Sequence, residues 1–122
     1  MKLTKLMGAL LVCASGLMVQ QVHAAAWQLV AGQGARYFVA VDPAQQANEA
    51  VLHEAAASVC GAGKTCVVLF WSDARLAGTK MPLTAPQRDA LAAQYTRNAA
   101  TGHEELLFKC REGAAAGKRC LK

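Results

Sequence analysis

Cys60 and Cys66 bracket the short turn Gly61-Ala-Gly63-Lys64-Thr65 and lead into Val67-Val-Leu-Phe-Trp71, the most apolar run outside the N-terminal region. No other stretch of the chain constrains its fold as strongly. An apolar run without polar alternation suits a strand buried on both faces. A disulfide across the turn would tie that strand to whatever precedes it. The stretch therefore predicts a covalently stapled entry into a central strand that ends at Ser72-Asp73.

The N-terminal residues set the chemical setting of that staple. Lys2 and Lys5 precede an apolar run from Leu6 to Val19, and small residues at Val22-His23-Ala24 and Ala24-Ala25-Ala26 follow. This is the three-part pattern of a secretory signal peptide. A spanning helix needs about 20 mostly apolar residues, and this run is shorter and broken at Ser15-Gly16. Cys13 invites a lipoprotein reading, but Val12 is not the small residue that lipidation favours. Residues 1–24 are thus expected to be a cleavable leader, with cleavage after Ala24 or Ala26. Residues 25–122 form one small domain, periplasmic or secreted and not membrane-spanning after cleavage. A domain of that size has a limited core and gains from covalent reinforcement. Cys60, Cys66, Cys110 and Cys120 remain in it, an even set that reads as disulfides ahead of metal or redox chemistry.

Secondary structure follows from local patterns. Trp27–Ala31 and Arg36–Asp42 are aromatic and β-branched segments around Gly32-Gln-Gly34, which predicts a hairpin. Asp42-Pro43 predicts a helix start, with Asp as N-cap and Pro at the first helical position. That helix is expected to run to about Val59, burying Ala44, Ala47, Val51, Leu52, Ala55 and Val59 and exposing Gln46, Glu49 and His53. Gly61 suits its C-terminal stop. Ser72–Pro82 reads as a loop. Thr84-Ala-Pro-Gln87 is a capping box that opens a second helix, with Ala90, Leu91 and Tyr95 as its apolar stripe and a fade at Asn98–Gly102. Glu104–Cys110 reads as a strand, Arg111–Arg119 as a Gly/Ala-rich turn, and Cys120-Leu121 as a short returning edge. The expected fold class is α/β or α+β: a small disulfide-stapled sheet of about four strands, in the order β-β-α-β-α-β(-β), with two helices.

Two arrangements of that sheet differ in a testable way. If the Cys66–Trp71 strand lies between the Arg36 and Glu105 strands, right-handed crossovers place both helices on one face. The second face then needs cover from the Trp27 segment, the C-terminal tail or a partner. If the Arg36 strand is central, the helices cover both faces. Antiparallel pairs form a third option. Parallel strands would put Cys66 and Cys110 at opposite ends of a sheet about 20 Å long, too far for a disulfide. The expected pairs are therefore Cys60–Cys66 and Cys110–Cys120.

Several segments resemble sites and fail on inspection. Gly61–Thr65 ends like a phosphate-binding loop, but the required first Gly is Ser58, and the loop runs from helix to strand. The cysteine spacing fits neither a redox Cys-x-x-Cys pair nor a zinc site. His53-Glu54 begins a His-Glu-x-x-His motif whose second His is Ala57. Glu49 with His53 reads as a solvated helix face, and His103-Glu104-Glu105 as a polar strand entry. No metal, cofactor or catalytic set is expected. The best candidate ligand loop is Ser72, Asp73 and Arg75, at the C-terminal end of a central strand, where α/β proteins bind ligands.

Charge is uneven. The chain has 13 Lys and Arg against 8 Asp and Glu. With Lys2 and Lys5 removed in the leader, the mature domain carries +3. Lys109, Arg111, Lys118, Arg119 and Lys122 against Glu112 concentrate +4 in the tail and leave the body at −1. In an exported protein such a patch is a solvated tail or meets an anionic envelope surface or an acidic protein face, ahead of nucleic acid, which is not expected as a partner. The sequence thus points to a non-enzymatic binding or accessory protein of inhibitor or immunity type, acting through an interface with another envelope protein or a second copy of itself. The competing expectation is a small envelope hydrolase using Asp73 with His53 or His103. It requires those side chains to converge.

Overall fold

A computed structural model describes residues 26–110 and 119–121. Residues 1–25, which include the expected leader, and the tail positions Arg111, Lys118 and Lys122 lie outside the described residues. Five strands form one sheet in sequence order: β1 (Trp27–Gln33), β2 (Arg36–Val41), β3 (Cys66–Trp71), β4 (Leu91–Asn98) and β5 (His103–Phe108). Neighbours are antiparallel except β2 and β3, which are parallel. The class is the mixed α and β sheet expected of the sequence, and β3 is its central strand. Cys60–Cys66 and Cys110–Cys120 are the two disulfides. Such bonds persist in oxidising compartments. Among the described residues no helix is long and apolar enough to cross a membrane.

Helix α1 (Glu49–Cys60) makes the one parallel crossover, from β2 to β3. It begins later than the Asp42-Pro43 signal predicts. Asp42 does cap a turn, its side chain accepting from the Ala44 N–H, but that turn is a 3-10 helix of three residues, Pro43–Gln45. Asn48 is the real N-cap, accepting from the Ala50 and Val51 N–H groups. A second capping residue six positions on thus restarts the chain, and Ala44 and Ala47 are exposed instead of packed. Leu52, Ala55, Ala56 and Cys60 form the buried stripe. They sit on Val39, Val41, Val68, Phe70, Ala93, Tyr95 and Leu106. Gly61 closes the helix at φ 75, donating to the Ala57 carbonyl.

The larger correction lies after the second capping box. Thr84 and Gln87 form it as read, but α2 (Ala85–Ala90) ends at Ala90, and Leu91–Asn98 is β4. The Ala90-Leu91-Tyr95 stripe is therefore not helical. Ala93 and Tyr95, two residues apart, both point into the α1 core. The segment has partners on both sides, Val68↔Tyr95 in β3 and Tyr95↔Leu106 in β5. Two ladders of backbone hydrogen bonds outweigh an alanine-based helical preference of at most a few tenths of a kcal/mol per residue.

This strand also answers how the second face is covered. β3 lies between β2 and β4, and α1 occupies one face alone. The segment from Ser72 to Ala90, read as loop and helix start, folds over the other. Ala77 and Leu83 pack with Phe38, Leu69 and Trp71, joined by Met81, Ala90 and Leu91. The Trp71 indole donates to the Gln87 carbonyl at 2.8 Å, pinning α2 to the sheet. Neither the Trp27 segment alone nor an external partner is needed to bury this core. Beyond Phe108 the tail returns as expected: the Phe108 N–H donates to the Arg119 carbonyl and the Leu121 N–H to the Phe108 carbonyl.

Candidate functional site

The parallel pair β2–β3 brings two chain departures together. After β2 the chain turns away at Asp42, and after β3 at Ser72. Because β1 runs antiparallel to β2, its first residues lie beside the same end, with Trp27 opposite Val41. The Asp42 N–H donates to the Ala26 carbonyl at 2.8 Å and locks that corner. The result is a cleft of about 210 Å³ lined by Trp27, Gln28, Ala40, Val41, Asp42, Ser72 and Ala74. It lies outside the carboxyl ends of adjacent parallel strands, the place where open α/β sheets hold ligands.

Of the three candidate loop residues, only Ser72 lines this cleft. Asp73 and Arg75 are engaged with each other. One Asp73 oxygen accepts from the Arg75 backbone N–H at 3.0 Å and from Nε at 3.1 Å, and the other accepts from Nη2 at 3.0 Å. The Arg75 side chain is 89% exposed and that of Asp73 34%. The guanidinium and then the backbone N–H of Arg75 hold the Asp73 carboxyl below the ordinary carboxylate range, and the carboxylate raises Arg75 in turn. An exposed pair of this kind adds little stability. It shapes the short 3-10 turn Ala74–Leu76 that Asp73 caps.

The histidines lie elsewhere. His103 pairs with Asn98, one step past the Arg97↔Cys66 rung, at the start of β3. Asp73 lies past Trp71 at its other end, and a six-residue strand separates those ends by about 17 Å. His53 is exposed on α1, its ring edge-on to Tyr95 at 5.7 Å between centroids. Tyr95 stands mid-sheet opposite Val68. The structure therefore does not bring Asp73 together with either histidine. Glu49, in the first turn of α1, is exposed on the same helix one turn before His53.

A second polar cluster surrounds Tyr95. Burial, then the Glu104 charge, push its hydroxyl pKa up, while Arg97 opposes them. Arg97 has a further structural task. Its Nε donates to the Lys64 carbonyl at 2.8 Å and its Nη2 to the Gly61 carbonyl. The Thr65 hydroxyl accepts from the Ala99 N–H at 2.8 Å. The Gly61–Thr65 turn thus offers carbonyls to a guanidinium, the reverse of the N–H cradle a phosphate requires. Lys109 reaches the α2 end, donating to the Asp89 carbonyl at 2.7 Å. Arg119 is exposed.

In the sequence Asp42 reads as a cap, and Trp27 as a strand residue whose segment is one possible cover for the second face of the sheet. Their place in the cleft depends on β1, β2 and β3 being neighbours. The usable signal was the pair of polar residues, Asp42 and Ser72, following two apolar strands. No protein-family model, curated protein or solved structure matches the chain.

Proposed function

We propose that this is an exported, disulfide-stapled binding protein that docks an extended segment of a partner protein along the outer edge of β1. One observation carries the reading: β1 is an edge strand without a charged residue, and its Leu29 is 50% exposed, the most exposed of the large hydrophobic residues described. Helix α1 packs across β2, β3 and β4 and stops short of shielding Leu29. Exposed sheet edges recruit strands through unpaired main-chain groups, and alternate side chains supply selectivity. The opposite edge is protected. β5 opens with His103, Glu104 and Glu105, and its Phe108 is engaged by the returning tail. Charge on an edge strand discourages pairing.

The test is photo-crosslinking in intact cells. A photoreactive residue replaces Leu29 in one variant and Glu105 in another. The expected result is one discrete partner captured from position 29 and little from position 105, with capture at 29 abolished by Val30→Lys. Capture of a second copy of the chain from position 29 would assign the edge to a homodimer instead. Equal capture at both edges, or none at 29, would refute edge docking.

A further inference from the structure

We propose that Cys110–Cys120 is a reducible latch: a dithiol reductant opens it while Cys60–Cys66 stays closed, and its opening releases residues 119–121 from the edge of β5. The two disulfides differ first in access. Cys60 and Cys66 are 3% and 1% exposed and belong to the core between α1 and the sheet. Cys110 and Cys120 are half-buried and lie beyond the end of β5. Exchange requires a thiolate to reach a sulfur, so access favours the second pair. They differ also in charge. Val59, Gly61, Thr65 and Val67 flank the buried pair, whereas Lys109 and Arg111 flank Cys110 and Arg119 precedes Cys120. Lys109 and Arg119 are exposed. Cationic neighbours draw an attacking thiolate and favour the thiolate that must leave.

The two bonds also hold different things. The turn between Cys60 and Cys66 is clamped independently, by Arg97 on the Gly61 and Lys64 carbonyls and by Thr65 on the Ala99 N–H. At the tail, the grip of the sheet reaches Lys109, whose N–H donates to the Ala92 carbonyl at 2.9 Å and whose ammonium donates to the Asp89 carbonyl at 2.7 Å. Past it, residues 119–121 meet β5 at Phe108, through the Arg119 carbonyl and the Leu121 N–H, both at 2.8 Å. Hydrogen bonds at a strand end contribute little net against water, and ordering each tail residue costs entropy. The disulfide offsets that cost by closing the loop. Cover of the β5 edge at Phe108 is therefore conditional on it. In the exchange, one thiolate of the reductant attacks the sulfur of one cysteine; the S–S bond breaks, a mixed disulfide forms, and the other cysteine leaves as thiolate. The second thiolate of the reductant then displaces the protein sulfur. The dithiol gives up two electrons and becomes a disulfide, and its two protons end on Cys110 and Cys120. The latch lies at the sheet edge opposite β1 and operates whether or not β1 docks a partner strand.

The experiment treats the native protein with graded dithiothreitol, traps free thiols with N-ethylmaleimide and maps them by mass spectrometry, with amide hydrogen exchange read on the same samples. Cys110 and Cys120 are expected to label about tenfold faster than Cys60 and Cys66, or more. At that stage protection should be lost at the Phe108 and Leu121 amides and kept at Val68 and Tyr95. Cys110→Ser combined with Cys120→Ser should reproduce this exchange pattern without reductant, which separates opening of the latch from any action of the reductant on Cys60–Cys66. Equal or faster labelling of Cys60 and Cys66, protection retained at Phe108 and Leu121 once Cys110 and Cys120 are labelled, or simultaneous loss of protection at Val68 and Tyr95 would overturn the assignment.

Discussion

Gly78→Ala tests how the second face of the sheet is closed. Gly78 is buried beneath the covering segment, and a methyl group built there meets Leu83 Cδ2 at 2.5 Å, Trp71 Cη2 at 3.3 Å and Phe38 Cδ1 at 3.5 Å. Carbon atoms rest about 3.5–4.0 Å apart, so the Leu83 methyl must retreat by about 1 Å. The two rings cannot give way. Both are fully buried and stacked at 6.1 Å, and the indole is held by the Gln87 carbonyl. Leu83 must therefore leave its rotamer or swing toward solvent. Overpacking of this kind costs about 1–3 kcal/mol. The backbone at Gly78 is not left-handed, so Ala gains about 0.4–1 kcal/mol from the unfolded state. The net expectation is a loss of about 1–2 kcal/mol. For a domain of this size that lowers Tm by roughly 5–15 °C.

The assay is urea unfolding without reductant, followed by near-UV circular dichroism, on a double-mutant cycle. Leu83→Ala alone leaves a void at a largely buried position and should cost about 2–3 kcal/mol. In the double variant the methyl introduced at position 78 occupies part of that void and has nothing to collide with. The pair should be no less stable than Leu83→Ala alone, a favourable coupling of about 1–2 kcal/mol. Wild-type stability for Gly78→Ala, or strict additivity in the double variant, would refute the covering role of this segment.

Other perturbations reach the remaining junctions. Trp71→Phe removes the indole donor and leaves the Gln87 carbonyl short of a partner, costing about 1–3 kcal/mol by chemical denaturation. Arg97→Ala frees the Gly61 and Lys64 carbonyls; faster amide exchange should appear at residues 61–66 while β2 exchange barely changes, and Arg97→Lys should restore only part of the protection. Replacing Cys110 and Cys120 together by Ser opens a ten-residue separation and should cost about 2–3 kcal/mol, with loss of protection at the Phe108 and Leu121 amides. The raised Tyr95 pKa makes the folded state hold that proton more tightly than the unfolded chain does. Its contribution is therefore complete below about pH 10, the ordinary tyrosine value, and is lost as pH rises through the folded value. Tyr95→Phe should remove that alkaline fall, as read by Tm against pH.

Elements with a local cause were legible. The hairpin needed only two strand-like segments and a turn, and Gly34 adopts φ 61 between them. The capping box at Thr84 forms with both of its hydrogen bonds. Both disulfides close short loops, and β3 and β5 do run in the same direction, which keeps Cys66 away from Cys110. Leu91–Asn98 was misread because a local scan scores its alanines as helix formers. The alternation of Ala93 and Tyr95 was visible but brief. Within the candidate loop, Ser72 lines the cleft, whereas Asp73 turns to Arg75 two residues on, which a strand-end rule does not resolve.

The sequence by itself determined the staples, the caps and the doubly buried strand from Cys66 to Trp71, because each rests on contacts within about a dozen residues or on unbroken apolar character. Tertiary structure alone decided three things. It made a strand of residues 91–98, since only neighbours on both sides supply the ladders that outweigh helical preference. It folded residues 72–90 over Phe38, Leu69 and Trp71, since a loop becomes a cover only when a sheet face awaits it. It gathered Trp27, Asp42 and Ser72 around one cleft, since residues up to 45 positions apart meet only where three strands are side by side.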